Sequence, residues 1–252
     1  FNLLDRHVLS GRGKKQALVF EGDRWDPSKN EGRGGPVFEQ RLSYRELLIE
    51  VALRARVLKS LDLSAGDRIA LNLPNILEQI FYILAAQRLG VIYTPVFGGF
   101  SAKTLSDRIH DAGAKVVITA DGGYRNAEVV SYKSTYVDPA LDNYVPRPAA
   151  LKALSETLKS RLPADVAERL EAQVTEAVAG EITLERADVM RELGLALERE
   201  RGTAPEIIAE LRTTVASELA SVSHAVTNVI VVRYTGNDIV EHSRDRWSHD
   251  LI

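Results

Sequence analysis

The chain has 252 residues, 45% hydrophobic and 27% charged, with a formal net charge of −3 and no cysteine. That composition suits a soluble globular protein with a sizeable core in one large or two small domains. It excludes disulfides and thiolate metal sites and supplies no general pull toward nucleic acid or anionic membrane, so any phosphate binding must be local.

The chain opens on Phe1 rather than methionine and closes on Leu251-Ile252 without a tail, so a piece of a longer polypeptide is expected. Gly11-Arg12-Gly13-Lys14-Lys15 lacks the spacing of a phosphate loop and reads as a basic, solvated turn. Ala17 to Glu21 is a strand, and the polar, glycine-rich stretch from Asp26 to Pro36 is a surface loop. Ser43-Tyr44-Arg45-Glu46 is a capping box, continued at helical spacing by Leu47, Leu48, Val51, Ala55 and Leu58 to about Ser60. Arg68 to Leu73 is a buried strand, and Asn75 with Glu78 repeats the capping pattern before an apolar helix that Gly90 ends. Val91 to Thr94 is the next strand, Ser101 opens a helix to Asp111, and Lys115 to Thr119 follows as a further strand. The strand, helix, strand, helix, strand order predicts an α/β fold, a parallel sheet with flanking helices, within a domain spanning 1–145.

Between Pro146 and Ser223 the pattern turns helical. Leu151, Leu154 and Leu158 form one stripe, and Val166, Leu170, Val174 and Val178 form a second that Gly180 ends. A third helix is expected from Thr183, and Thr203-Ala204-Pro205-Glu206 caps a fourth carrying Ile208, Leu211, Val215 and Leu219. Residues 146–223 are therefore expected as an α-helical block, with its stripes buried against one another or against a partner surface. From 224 to 252 the chain returns: Val226 to Val232 should rejoin the sheet, Arg233 to Gly236 should turn, and Glu241 to Ile252 should be helix or loop.

Two glycine clusters follow strand-like runs: Phe97-Gly98-Gly99-Phe100-Ser101 and Asp121-Gly122-Gly123-Tyr124-Arg125. Glycine lets backbone approach a ligand, and the planar fork of Arg125 suits phosphate. If the two strands are parallel neighbours, both clusters lie where open α/β sheets bind ligands, which points to a small anion such as a nucleotide. Asp5 and Asp121 are expected to cap or turn the chain rather than act as bases. His7, His110, His224, His242 and His249 show no metal-ligand spacing, so no metal site is expected. A dinucleotide fold is disfavoured, because the spaced three-glycine fingerprint is missing.

The FGGFS block, Arg108-Ile109, the Val117 to Asp121 run with Arg125, Leu42 to Leu47, and Val229 to Asp238 with Trp247 resemble AMP-forming acetyl- and propionyl-CoA synthetases of the adenylate-forming superfamily. The resemblance covers both ends of the chain and not its middle. It implies the N-terminal part of the synthetase fold with residues 146–223 as an inserted four-helix block. The implied reaction joins a short-chain carboxylate to CoA through an acyl-adenylate. ATP, Mg²⁺ and the catalytic lysine would then be handled outside this segment, which alone would hold no catalytic residue. For this segment it implies part of the CoA site: Phe97 beside the adenine, Gly98 and Gly99 allowing close approach, and Arg125 on a phosphate. The family's second arginine falls at Glu128, a departure from the pattern. The helical block and the Tyr93-Thr94-Pro95-Val96 lead-in most resemble the synthetase module of trifunctional propionyl-CoA synthases. That would favour 3-hydroxypropionate as the acid and place NADPH in another module. A cytoplasmic protein is expected, with no nucleic-acid or membrane partner. The helical block would touch the rest of the polypeptide or a second copy.

Overall fold

The computed structural model describes residues 1–126, 128–200 and 204–252. The chain forms two compact units, Phe1–Phe100 with Ala114–Thr135 and Val226–Ile252, and Ser101–Gly113 with Tyr136–Ala225. Among the described residues no helix is long and apolar enough to cross a membrane.

The first unit is built on a five-stranded sheet in the order Asp245–Trp247, Asn228–Val232, Val116–Ala120, Arg68–Asn72 and Ile92–Pro95. Every pairing in it is parallel. Its central strands are near-continuous apolar runs, as sheets covered on both faces require. Two helices, Tyr44–Ser60 and Leu77–Leu89, pack against each other. Their Leu47, Val51, Leu58, Phe81 and Tyr82 join Ile69, Leu71, Ile118 and Ile230 in one core. The first helix starts on the predicted capping box: the Glu46 amide donates to Ser43 Oγ, and Glu46 Oε2 accepts from the Ser43 amide at 2.8 Å. Gly90, at φ +73°, closes the second as a left-handed cap.

Three local expectations for this unit change. Asn75 is not a cap. The Ile76 amide donates to the Pro74 carbonyl at 2.8 Å, which lengthens the loop by a residue, makes Ile76 the N-cap and leaves Glu78 one place too early to return the bond. The polar stretch from Asp26 contains a small antiparallel ladder, with Trp25 opposite Pro36 and Asp26 opposite Gly35. The segment from Glu241 holds the edge strand Asp245–Trp247 and then the short 3₁₀ turn Ser248–Asp250. That strand is anchored by a buried ion pair: Lys133 Nζ lies 2.9 Å from Asp245 Oδ2 and donates to the Val240 carbonyl at 2.7 Å.

Among the described residues the second unit holds four longer helices after its first, Ala102–Ala112: Arg147–Arg161, Ala164–Ala177, Arg186–Arg199 and Pro205–Ser221. Each of the four packs on two of the others, and their stripes meet in a core of Leu154, Leu158, Leu170, Val174, Leu193 and Val215 among others. The stripes are thus buried against one another. Ala102–Ala112 is capped at Ser101 and closed by Gly113 at φ +59°, as the sequence indicates. It packs on the Tyr144–Pro146 and Thr183–Glu185 strands, whose antiparallel pairing the helical reading of Thr183 did not foresee. Thr183 is buried because its hydroxyl and amide donate to Asp107 at 2.6 and 3.1 Å, so the helix starts only at Arg186. The compact unit is consequently larger than 146–223, reaching back to Tyr136 and taking in Ser101–Gly113. Thr203 lies outside the described residues; the last helix begins at Pro205, where a missing N–H costs nothing.

Candidate functional site

Three adjacent strands of the sheet end side by side: Val116–Ala120, Arg68–Asn72 and Ile92–Pro95. The segments leaving their carboxyl ends carry Tyr124 and Arg125, Leu73 to Asn75, and Phe97 to Gly99, and these line one cleft of about 170 Å³ together with Asp23 and Tyr132. The two glycine-bearing clusters are not on neighbouring strands. The Arg68–Asn72 strand lies between them, and the segment that follows it adds Pro74 and Asn75 to the cleft lining. All four residues singled out from sequence, Phe97, Gly98, Gly99 and Arg125, face this cleft, at the position where parallel α/β sheets bind ligands.

Backbone turns aim these groups. The Phe100 amide donates to the Phe97 carbonyl at 3.0 Å, and the Phe97 ring, 69% exposed, meets Phe100 edge-on at 5.9 Å. Gly123–Arg125 and Glu128–Val130 form a hairpin, with Asn126 at φ +52° in its turn. The exposed Arg125 guanidinium has no ion-pair partner among the described residues.

The glycines have a structural cause that the sequence reading gave to ligand approach. A Cβ at Gly98 would run into the phenol ring of Tyr132, and one at Gly99 would lie 2.6 Å from Phe97 Cε1. At Gly123 a Cβ would lie 2.7 Å from Tyr132 Cε2 and 2.9 Å from Pro74 Cβ. Tyr132 therefore fills the space between the two glycine turns and ties them together.

Behind the cleft, Asp121 is fully buried and acts as a turn-former, as expected. Its Oδ1 accepts from the amides of Gly122, Tyr234 and Thr235 at 2.7, 2.8 and 3.0 Å, and Oδ2 from Gly236 at 2.7 Å. This places Tyr234, whose hydroxyl donates to Asp23 Oδ2 at 2.9 Å. Burial, and then the bond to Asp23, push the Tyr234 phenol well above its ordinary value, so it stays a donor at neutral pH. Asp5, also expected to be structural, forms a two-pronged pair with Arg88 at 2.6 and 2.8 Å.

A family model described as "AMP-binding enzyme" matches residues 9–227, most of the chain. The chain belongs to the AMP-binding enzyme family. Its curated relatives include the acetyl-coenzyme A synthetase of Streptomyces avermitilis, 41% identical over 147 residues, which are 58% of this chain and 20% of that protein. The acetyl-coenzyme A synthetase of Gemmatimonas aurantiaca is 42% identical over 132 residues, 52% of the chain and 18% of the relative. That of Mycolicibacterium smegmatis is 44% identical over 142 residues, 56% of the chain and 14% of the relative. The aligned stretch is thus a fifth or less of each relative's length.

In this chain the residue at the expected second-arginine position, Glu128, stands opposite Arg125 in the hairpin register. A carboxylate there lowers the local positive potential instead of raising it. Asp23, Pro74, Asn75 and Tyr132 also line the cleft and were not identified from sequence. They come from three separate segments, and only Pro74-Asn75, following an apolar strand as the glycine turns do, carries a local signal.

Proposed function

We propose that this chain is the N-terminal part of an AMP-forming short-chain acyl-CoA synthetase, and that the cleft between Phe97 and Arg125 holds part of the nucleotide tail of CoA. The observation that carries the reading is the convergence of Phe97, Gly98, Gly99 and Arg125 on one cleft at the carboxyl ends of adjacent parallel strands. The exposed Phe97 ring offers a face to a planar base, and the exposed Arg125 guanidinium, without an ion-pair partner among the described residues, offers a charge-assisted fork to a phosphate. The reaction in which it would take part is carboxylate, ATP and CoA going to acyl-CoA, AMP and diphosphate. ATP and Mg²⁺ would be held by residues outside this segment, which by itself would be inactive.

Within that class we favour activation of 3-hydroxypropionate in the synthetase module of a propionyl-CoA synthase. The support is the helical run between residues 146 and 223, read as an insertion, together with the Tyr93 to Val96 lead-in. NADPH would belong to another module. An acetyl- or propionyl-CoA synthetase is the second reading, favoured by the acetyl-coenzyme A synthetase relatives. A docking role for the helical block is weaker, since its apolar stripes already face one another.

In the protein that carries this chain, Arg125→Ala should raise KM for CoA about tenfold, as loss of a charge-assisted contact would. Diphosphate release from ATP and the acid should be unchanged. An unaltered KM for CoA would remove the assignment, and comparing acetate, propionate and 3-hydroxypropionate as substrates would decide among the acids.

A further inference from the structure

The 170 Å³ cleft adjoins a larger cavity of about 310 Å³, and the two share Asp23 and Tyr124 as lining residues. The first alone falls below the roughly 300–1,000 Å³ typical of small-molecule sites, and the second brings the pair into that range. The larger cavity is walled by Phe38, Tyr124 and Tyr234, the two tyrosines meeting edge-on at 5.9 Å and 77°. At its rim stands Arg24, exposed and without an ion-pair partner among the described residues. Its backbone is fixed from both sides: the Val37 amide donates to the Arg24 carbonyl at 2.7 Å, and the Gly22 amide to the Phe38 carbonyl at 2.8 Å.

The charges alternate across this double cavity. Arg24 lines one side, Arg125 the other, and the Asp23 carboxylate stands in the wall between them. A carboxylate there repels a phosphate but accepts from a hydroxyl or an amine. An anionic ligand must therefore place its phosphates at the two outer ends and its neutral donors in the middle. A nucleoside carrying phosphates on two different positions of its ribose has that layout, and the aromatic wall offers its base a stacking or edge contact.

Resting on the CoA reading above, we propose that Arg24 is the second phosphate-binding residue of this site, in place of the hairpin position occupied by Glu128. Arg24 and Arg125 bracket a ribose bisphosphate, Asp23 accepts from its hydroxyl or amino donors, and Phe38, Tyr124 and Tyr234 cover its base.

The test is calorimetric titration of the 252-residue chain with adenosine 3′,5′-bisphosphate, in the unaltered protein and in R24A, R24K and R125A. R24A and R125A should each weaken binding about tenfold, the size of one lost charge-assisted contact. R24K, which keeps the charge without the fork, should bind more tightly than R24A. Loss in R125A with R24A unchanged overturns the bracket and leaves the CoA reading standing. R24K as weak as R24A overturns the anion role of Arg24. No binding by the unaltered chain, or none of the variants weakened, overturns the inference and the CoA reading together.

Discussion

Asp121 is the residue through which the sheet reaches the candidate site, and its replacement by alanine should unfold that connection. The carboxylate takes four backbone amides, three of them from the Tyr234 to Gly236 turn that lies more than a hundred residues away in sequence. Asp121→Ala leaves those donors without an acceptor in a buried place. A hydrogen bond to a charged acceptor contributes about 1.5–3 kcal/mol, and bonds sharing one carboxylate do not add fully, so the expected loss is about 3–5 kcal/mol. Asp121→Asn separates the contributions. Its amide oxygen can still serve the three donors at Oδ1, while its NH₂ would face the Gly236 amide, so it should cost about half as much. Urea unfolding followed by the fluorescence of Trp25 and Trp247, both in the same unit, reads the difference. An alanine variant within about 1 kcal/mol of the unaltered chain would refute the view that this carboxylate holds the turn.

Lys133→Met should cost about 3–5 kcal/mol by leaving Asp245 charged and buried, whereas Lys133→Met with Asp245→Leu should recover most of it, as measured by urea midpoints. Burial and the neighbouring His110 push buried His224, which shares a hydrogen with Ser106 Oγ at 3.0 Å, down to about 4. The unfolded chain takes up the proton first, near pH 6.5, so stability is full above that value, falls as pH drops toward about 4 and is then flat in this contribution. The loss should reach about 3 kcal/mol in denaturant titrations followed by helix circular dichroism, and His224→Gln should flatten the slope. Gly98→Ala should lower stability by about 1–3 kcal/mol by displacing the Tyr132 ring, and Tyr132→Ala in the same chain should remove the clash; thermal unfolding of the single and double variants reads it.

Much of the fold is legible because local chemistry and tertiary packing agree. Ser43 with Glu46 and Ser101 cap helices as their side chains require, Gly90 and Gly113 end them at positive φ, and the apolar runs at Arg68, Val116 and Asn228 are buried sheet strands. What escaped local reading is set by long-range partners. Asp245–Trp247 is too short and polar to announce a strand, and Lys133, more than a hundred residues earlier, supplies the charge that lets Asp245 be buried. Thr183 resembles a cap but spends its hydroxyl on Asp107 in another helix. Asn75 and Glu78 have the capping spacing, yet one extra turn bond at Pro74 moves the N-cap past Asn75 to Ile76 and leaves Glu78 at the second helical position. A two-residue pattern cannot register such a shift.

The candidate site divides along the same line, and the division changes what supports it. Each glycine cluster is a local signal, but Gly98 and Gly123 are explained by room for Tyr132, which touches both turns from outside either motif. They are needed for the architecture whether or not a ligand binds, so they are weak support for one. A ligand is favoured instead by features that no packing contact or ion pair among the described residues accounts for: an aromatic ring left 69% exposed at Phe97, and exposed guanidinium groups at Arg125 and Arg24. Folding alone gains little from holding such groups around one opening, since it buries no apolar surface there and pairs no charge. A planar anion would satisfy both at once.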